Sequence, residues 1–139
     1  MGPPQAVVRK FRMDTKDLYE RGLKLRREFF GEETVAKRMD AQGEFGVPLQ
    51  NMINSYAYGD VWSRPGLPNA TRSLAMVAMM AATGHGAELR VHLKGALKHG
   101  SSPEEIQDIL LLVSLYCGIP TAYAAHQAAV EVFKELGVK

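Results

Sequence analysis

Sulfur chemistry is nearly absent: Cys117 is the single cysteine in 139 residues. One thiol excludes an intramolecular disulfide and suits a reducing compartment. Charge of one sign is missing as well. The chain sets 17 Lys+Arg against 15 Asp+Glu for a formal net charge of +2, too little to point to nucleic acid or an anionic membrane surface. No apolar run reaches the roughly 20 residues that a membrane-spanning helix needs, and the first residues hold no apolar run of signal-peptide length. A cytoplasmic protein with neither nucleic acid nor membrane as partner is expected. Period-two alternation is lacking throughout, which argues against a half-buried sheet. Also missing are a glycine-rich phosphate loop, metal ligands at workable spacing and any Ser-His-Asp motif visible in sequence.

What remains is helix. The length makes one domain the default, with residues 1–13 as a loose arm and residues 14–139 as a single all-α domain. A bundle of about six to seven helices is expected. Its organising stretch is residues 69–84, in which residues 74–82 are apolar without interruption. A helix that is apolar all round is buried on all sides or lies in a membrane. This one is too short to span, so a buried central helix is expected. Asn69 is placed to cap it and Gly84 to end it in a left-handed turn. Arg72 falls in its first turn, beside the positive end of the helix dipole, so another use for that cation is expected.

The other helices follow from spacing and punctuation. Asp14 or Thr15 starts a helix through Leu18, Gly22, Leu25 and Phe29, stopped by Gly31. A second runs over residues 32–39. Pro48 suits a first turn, and Leu49, Met52, Ile53 and Tyr56 share one apolar face of the helix it opens. Residues 59–68 form a loop holding the sole tryptophan, Trp62, with Arg64 and the Pro65-Gly66 turn. On residues 86–100, Leu89, His92, Leu93, Ala96 and Leu97 make an inward stripe, while Arg90, Lys94 and Lys98 look solvated. His85 and His99 read as helix-end residues, a cationic histidine being favourable at the C-terminal end. The three histidines are spaced two turns apart, roughly 10 Å by the helix rise, too far to share one ion. Ser102, Pro103 and Glu105 make a capping box ahead of Ile106, Ile109, Leu110 and Val113. Gly118 and Pro120 force a break. The last helix carries alanines at 122, 124, 125, 128 and 129, which allow close approach within the subunit or against another one.

Seven side chains carry candidate chemistry. His92 puts an imidazole where leucine would pack better; it serves as a general acid or base or as a satisfied core histidine. Glu105 is a partner for it, or only the capping box. Arg72 can grip a carboxylate. Tyr56 and Trp62 can wall a pocket or plug the edge of the core. Cys117 sits at a helix end or is a small buried hydrophobe. His126 lies on a packing helix. Composition and spacing stop at a helical domain with a possible acid–base site.

The ordered set Tyr56-Ala-Tyr-Gly-Asp-Val-Trp62-Ser-Arg-Pro-Gly-Leu67, Thr71-Arg-Ser-Leu, His92-Leu-Lys-Gly-Ala-Leu-Lys-His-Gly100, Pro103-Glu-Glu-Ile and Tyr116-Cys-Gly-Ile-Pro120 resembles the carboxymuconolactone decarboxylase family, over about residues 18–133. The resemblance implies an alkylhydroperoxidase D-like helical fold that assembles as a homo-oligomeric ring, a trimer or hexamer. It implies conversion of 4-carboxymuconolactone to β-ketoadipate enol-lactone in bacterial protocatechuate breakdown, without metal or organic cofactor. Under it, His92 is the proton donor or oxyanion partner and Glu105 sets its protonation state. Arg72 or Arg64 holds carboxylates, Tyr56 and Trp62 keep the pocket dry, and Cys117 and His126 adjoin the substrate. Tyr58 and Pro68 depart from the family pattern, where tryptophan and aspartate are expected.

The same superfamily holds alkylhydroperoxidases with a Cys-x-x-Cys pair, a glutamate and a histidine. Glu105 and Cys117 match two of these, but Pro120 replaces the second cysteine and Ala124 the histidine. Without a resolving thiol an oxidised cysteine is not recycled internally. A single-cysteine route through Cys117 with an external thiol is the alternative, and a non-catalytic ring protein is a third.

Overall fold

A computed structural model describes residues 15–139; the expected arm, residues 1–13, lies outside them. The described residues form seven α-helices with no strand among them, so the chain is all-α. No helix among them is long and apolar enough to cross a membrane. The chain divides into two compact units, one ending at Gly66 and the other Leu67–Lys139. The boundary falls at the Pro65-Gly66 turn.

The first unit contains α1 (Thr15–Phe30), α2 (Glu32–Asp40), a 3-10 turn (Gly43–Gly46), α3 (Val47–Met52) and a π-helix (Ile53–Val61). Gly31, at φ 87, breaks α1 from α2. The apolar spacing of Leu49, Met52, Ile53 and Tyr56 predicts an α-helix that buries that face, and the structure differs. Leu49, Met52 and Tyr56 are exposed. The buried residues are instead Gln50 on α3 and Asn54, Ser55, Tyr58 and Gly59 on the π-helix. The cause is a backbone-on-backbone crossing with α1. A Cβ at Gly22 would meet the Asn54 carbonyl oxygen at 1.5 Å and the Gly59 nitrogen at 2.6 Å, and a Cβ at Gly59 would lie 2.1 Å from the Leu18 carbonyl oxygen. Only glycine fits either place, so the crossing decides which face turns inward.

The second unit is four helices: α4 (Asn69–Thr83), α5 (Gly86–Lys98), α6 (Pro103–Cys117) and α7 (Ile119–Leu136). Val77 and Ala81 of α4 meet Leu89, Leu93 and Ala96 of α5, Ile106, Leu110 and Val113 of α6, and the alanines of α7 in one core. Full burial of a side chain such as Leu93 contributes about 2 kcal/mol. Ala122, Ala125, Ala128 and Ala129 are buried, so most of the alanine surface serves packing within this unit. Arg90 and Lys94 are not simply solvated; they pair with Glu131 and Glu135 of α7.

The punctuation largely matches. Gly84 closes α4 in the left-handed region at φ 74, and Gly118, at φ 97, separates α6 from α7. Ser102 caps α6, its Oγ accepting from the Glu105 N–H at 3.1 Å. At the start of α4 the structure corrects the expectation. Asn69 is the first helical residue, the cap position belongs to Pro68, and no side chain caps this end.

Helix α4 is also less covered than its sequence predicts. Ser73, Val77 and Ala81 are buried, whereas Ala75, Met79 and Ala82 are exposed in the single chain. The four helices bury one stripe of α4 and leave another apolar stripe outside. Helices α6 and α7 do the same with Leu111, Leu115, Tyr116, Ile119 and Tyr123, each more than half exposed.

Candidate functional site

His92 lies mid-way along α5 on its core stripe, between Leu89 and Leu93, and is 7% exposed. An imidazole there gives up solvation that a leucine would not. Arg72 occupies the first turn of α4, where its backbone N–H bonds to the Pro68 carbonyl. Its guanidinium Nη1 donates to the Leu67 carbonyl at 2.8 Å. The carbonyl of the incoming loop thus answers part of the cation's unfavourable place at the positive helix end.

Beside Arg72, Ser73 is 1% exposed, and its Oγ lies 3.0 Å from His99 Nδ1. Burial, with Lys98 as a lesser cause, lowers the His99 pKa from the ordinary histidine value. Lost hydration thus works against the cationic form expected at this helix end. His85 stands at the other end of α5 as expected, with Nδ1 2.7 Å from Thr83 Oγ1.

Glu105 is exposed in the first turn of α6, and the Ser102 cap explains its backbone position. Cys117 is exposed at the end of α6, not a buried small hydrophobe. It borders an apolar groove of about 300 Å³ with Met79, Ile109 and Leu112. His126 borders a different groove, of about 230 Å³, with Glu104, Gln107 and Phe133. Its Nδ1–H donates to the Ala122 carbonyl at 2.8 Å, which leaves Nε2 as the acceptor nitrogen of the neutral ring. The structure therefore separates Cys117 from His126, and neither groove is lined by Arg72, His92 or Glu105. No group of three or more His, Cys, Asp or Glu among the described residues could hold a metal ion.

In the first unit, Trp62 is half-buried just past the π-helix. It stacks on Tyr58 with centroids 5.8 Å apart and planes at 18°, and meets the edge of Phe29 at 5.6 Å. Tyr56 is half exposed. Arg64 is exposed and paired with Asp60, Nε to Oδ1 at 2.9 Å.

Two features went unread in the sequence. One is the Ser73–His99 contact between α4 and α5. The other is Arg26, which is 4% exposed and donates through Nη1 to Gln50 Oε1 at 2.7 Å and Asn54 Oδ1 at 3.1 Å. The available signal was spacing: Gly22, Arg26 and Phe29 share the buried stripe of α1.

The comparisons with known proteins agree in direction. The model of the carboxymuconolactone decarboxylase family matches residues 48–131. The chain is 41% identical over 126 residues to a 4-carboxymuconolactone decarboxylase of Acinetobacter baylyi, covering 91% of this chain and 94% of that one. It is 33% identical over 108 residues to a nitrosuccinic acid decarboxylase of Metarhizium robertsii, covering 78% of this chain and 76% of that one.

Proposed function

The chain belongs to the carboxymuconolactone decarboxylase family, and from that premise we propose that it is a cofactor-free carboxy-lyase. Its substrate is 4-carboxymuconolactone or a related carboxylated lactone, and its product is β-ketoadipate enol-lactone. The observation that carries this is a buried imidazole, His92, on the core stripe of α5, in a chain alike along most of its length to a decarboxylase of that lactone. The second relative, by its name, also removes carbon dioxide from a small carboxylic acid.

The chemistry asks little beyond such residues. The bond to the departing carboxylate breaks, carbon dioxide leaves, and the electron pair passes through the conjugated ring into the lactone carbonyl. A proton then returns to carbon. His92 donates to the developing oxyanion or delivers that proton, and Glu105 sets its protonation state. Arg72 holds a carboxylate as a charge-assisted partner, with Arg64 as a second cation. Tyr56 and Trp62 exclude water, which strips hydration from the leaving carboxylate.

A second copy of this chain covers the apolar residues exposed on α6 and α7, and the protein works as a homo-oligomer, trimer or hexamer, in the cytoplasm. The direct test offers purified protein freshly generated 4-carboxymuconolactone and follows carbon dioxide release. Release by the wild type that disappears in His92→Ala, with helical content intact, is expected. Near-normal turnover by His92→Ala would sink the assignment of His92. Failure of the wild type to release carbon dioxide would sink the substrate.

A further inference from the structure

We propose that Arg26 is a positioning residue for the reaction: with Gln50 and Asn54 it fixes the π-helix Ile53–Val61, and through that helix the orientation of Trp62. The proposal rests on the reading above in which Trp62 lines the substrate.

A buried guanidinium normally finds a carboxylate. Arg26 instead donates to two neutral amides, and burial lowers its pKa from the ordinary arginine value. An apolar side chain would fill the place with less lost hydration, so bulk stability does not account for it. Its effect is geometric. Asn54 is fully buried and its amide is turned by two contacts, Oδ1 accepting from Arg26 and Nδ2 donating to Met39 Sδ at 3.9 Å.

Five residues on, which is the π-helical hydrogen-bond interval, Arg21 Nε donates to the Gly59 carbonyl at 2.9 Å. That carbonyl lies near the end of the π-helix, where helical partners run out, and the Arg64 N–H goes to Val61 instead. Two arginines of α1 thus grip both ends of one π turn, and Gly22 lies directly on the Asn54 carbonyl and Gly59 nitrogen between them.

What this turn carries is aromatic. Tyr58, inside it, is 8% exposed and stacks on Trp62. Phe29, on the same stripe of α1 as Arg26, closes edge-on against both Tyr58 and Trp62. If the π turn relaxed to an α turn, the register would slip by one residue and every later side chain would swing by about 100°. Trp62 would swing away from Phe29 of α1.

Two variants of the full chain test this. Arg26→Met orphans two buried amides and should melt lower. Arg26→Met/Gln50→Leu/Asn54→Leu replaces the whole pin with apolar side chains and should recover the melting temperature. Trp62 is the only tryptophan, so its fluorescence reports the stack without any substrate. Both variants should change its emission, and both should lower kcat/KM for 4-carboxymuconolactone by about a hundredfold.

A triple variant that melts like the wild type and also turns over like it would overturn the proposal, since the pin would then be structural only. Unchanged Trp62 emission in both variants would overturn it too. Trp62→Phe is measured alongside. If that variant is fully active, Trp62 does not act on substrate and Arg26 loses its role in the reaction. If the wild type does not turn the lactone over, the functional reading fails alone, while emission and melting still decide whether Arg26 sets Trp62.

Discussion

A histidine at 7% exposure between two leucines sets packing against chemistry at one position, and the conflict can be measured. His92→Leu should still fold, because an apolar side chain suits the stripe, yet should lower kcat by about a thousandfold. A variant that loses fold and activity together would return His92 to a packing role. His99 gives a second, independent test. Its lowered pKa means that the unfolded chain takes up the proton more readily than the folded one. The stabilisation is complete above the ordinary histidine value of about 6.5 and is lost as pH falls below it. Melting curves between mildly alkaline and mildly acidic pH should therefore steepen toward acid in the wild type and flatten in His99→Gln. Parallel slopes in the two proteins would count against His99 as the source.

Among the elements, the crossing of α1 with the π-helix is the least forgiving. Gly22→Ala puts a methyl 1.5 Å from a carbonyl oxygen, where backbone would have to move. We expect a loss of about 3 kcal/mol, read by chemical denaturation, with wild-type stability refuting the close contact. Ser102→Ala at the start of α6 should cost about 1 kcal/mol. The contrast shows what the sequence could reveal. Helices α5 and α6 were legible because Gly100, Ser102 and Pro103 announce the junction and the leucines keep helical period. The π-helix was not, because a periodic reading assumes that the apolar face turns inward, and here two glycines and two arginines choose the face instead. Arg26 shares the spacing of Gly22 and Phe29, but spacing alone does not reveal Gln50 and Asn54 as its partners. His92 was legible as buried; the stack of Trp62 on Tyr58 was not, since residues 59–68 read as a loop and the helix in fact runs on to Val61.

At the scale of the molecule, the apolar residues left outside matter most. Tyr116 is 80% exposed, and Leu115 and Tyr123 are each 73% exposed. Leu111 and Ile119 extend the set, and surfaces of this kind mark association. The wild type should sediment as a trimer or hexamer, and Leu115→Glu should sediment as a smaller species. A monomeric wild type would refute the assembly. If these side chains are a core shared between copies, then no fixed melting temperature belongs to the sequence. By mass action the folded state gains from every neighbour it finds, so dilution itself becomes a denaturant. Each tenfold dilution should lower the transition, and the amount the cell makes sets how durable each molecule is.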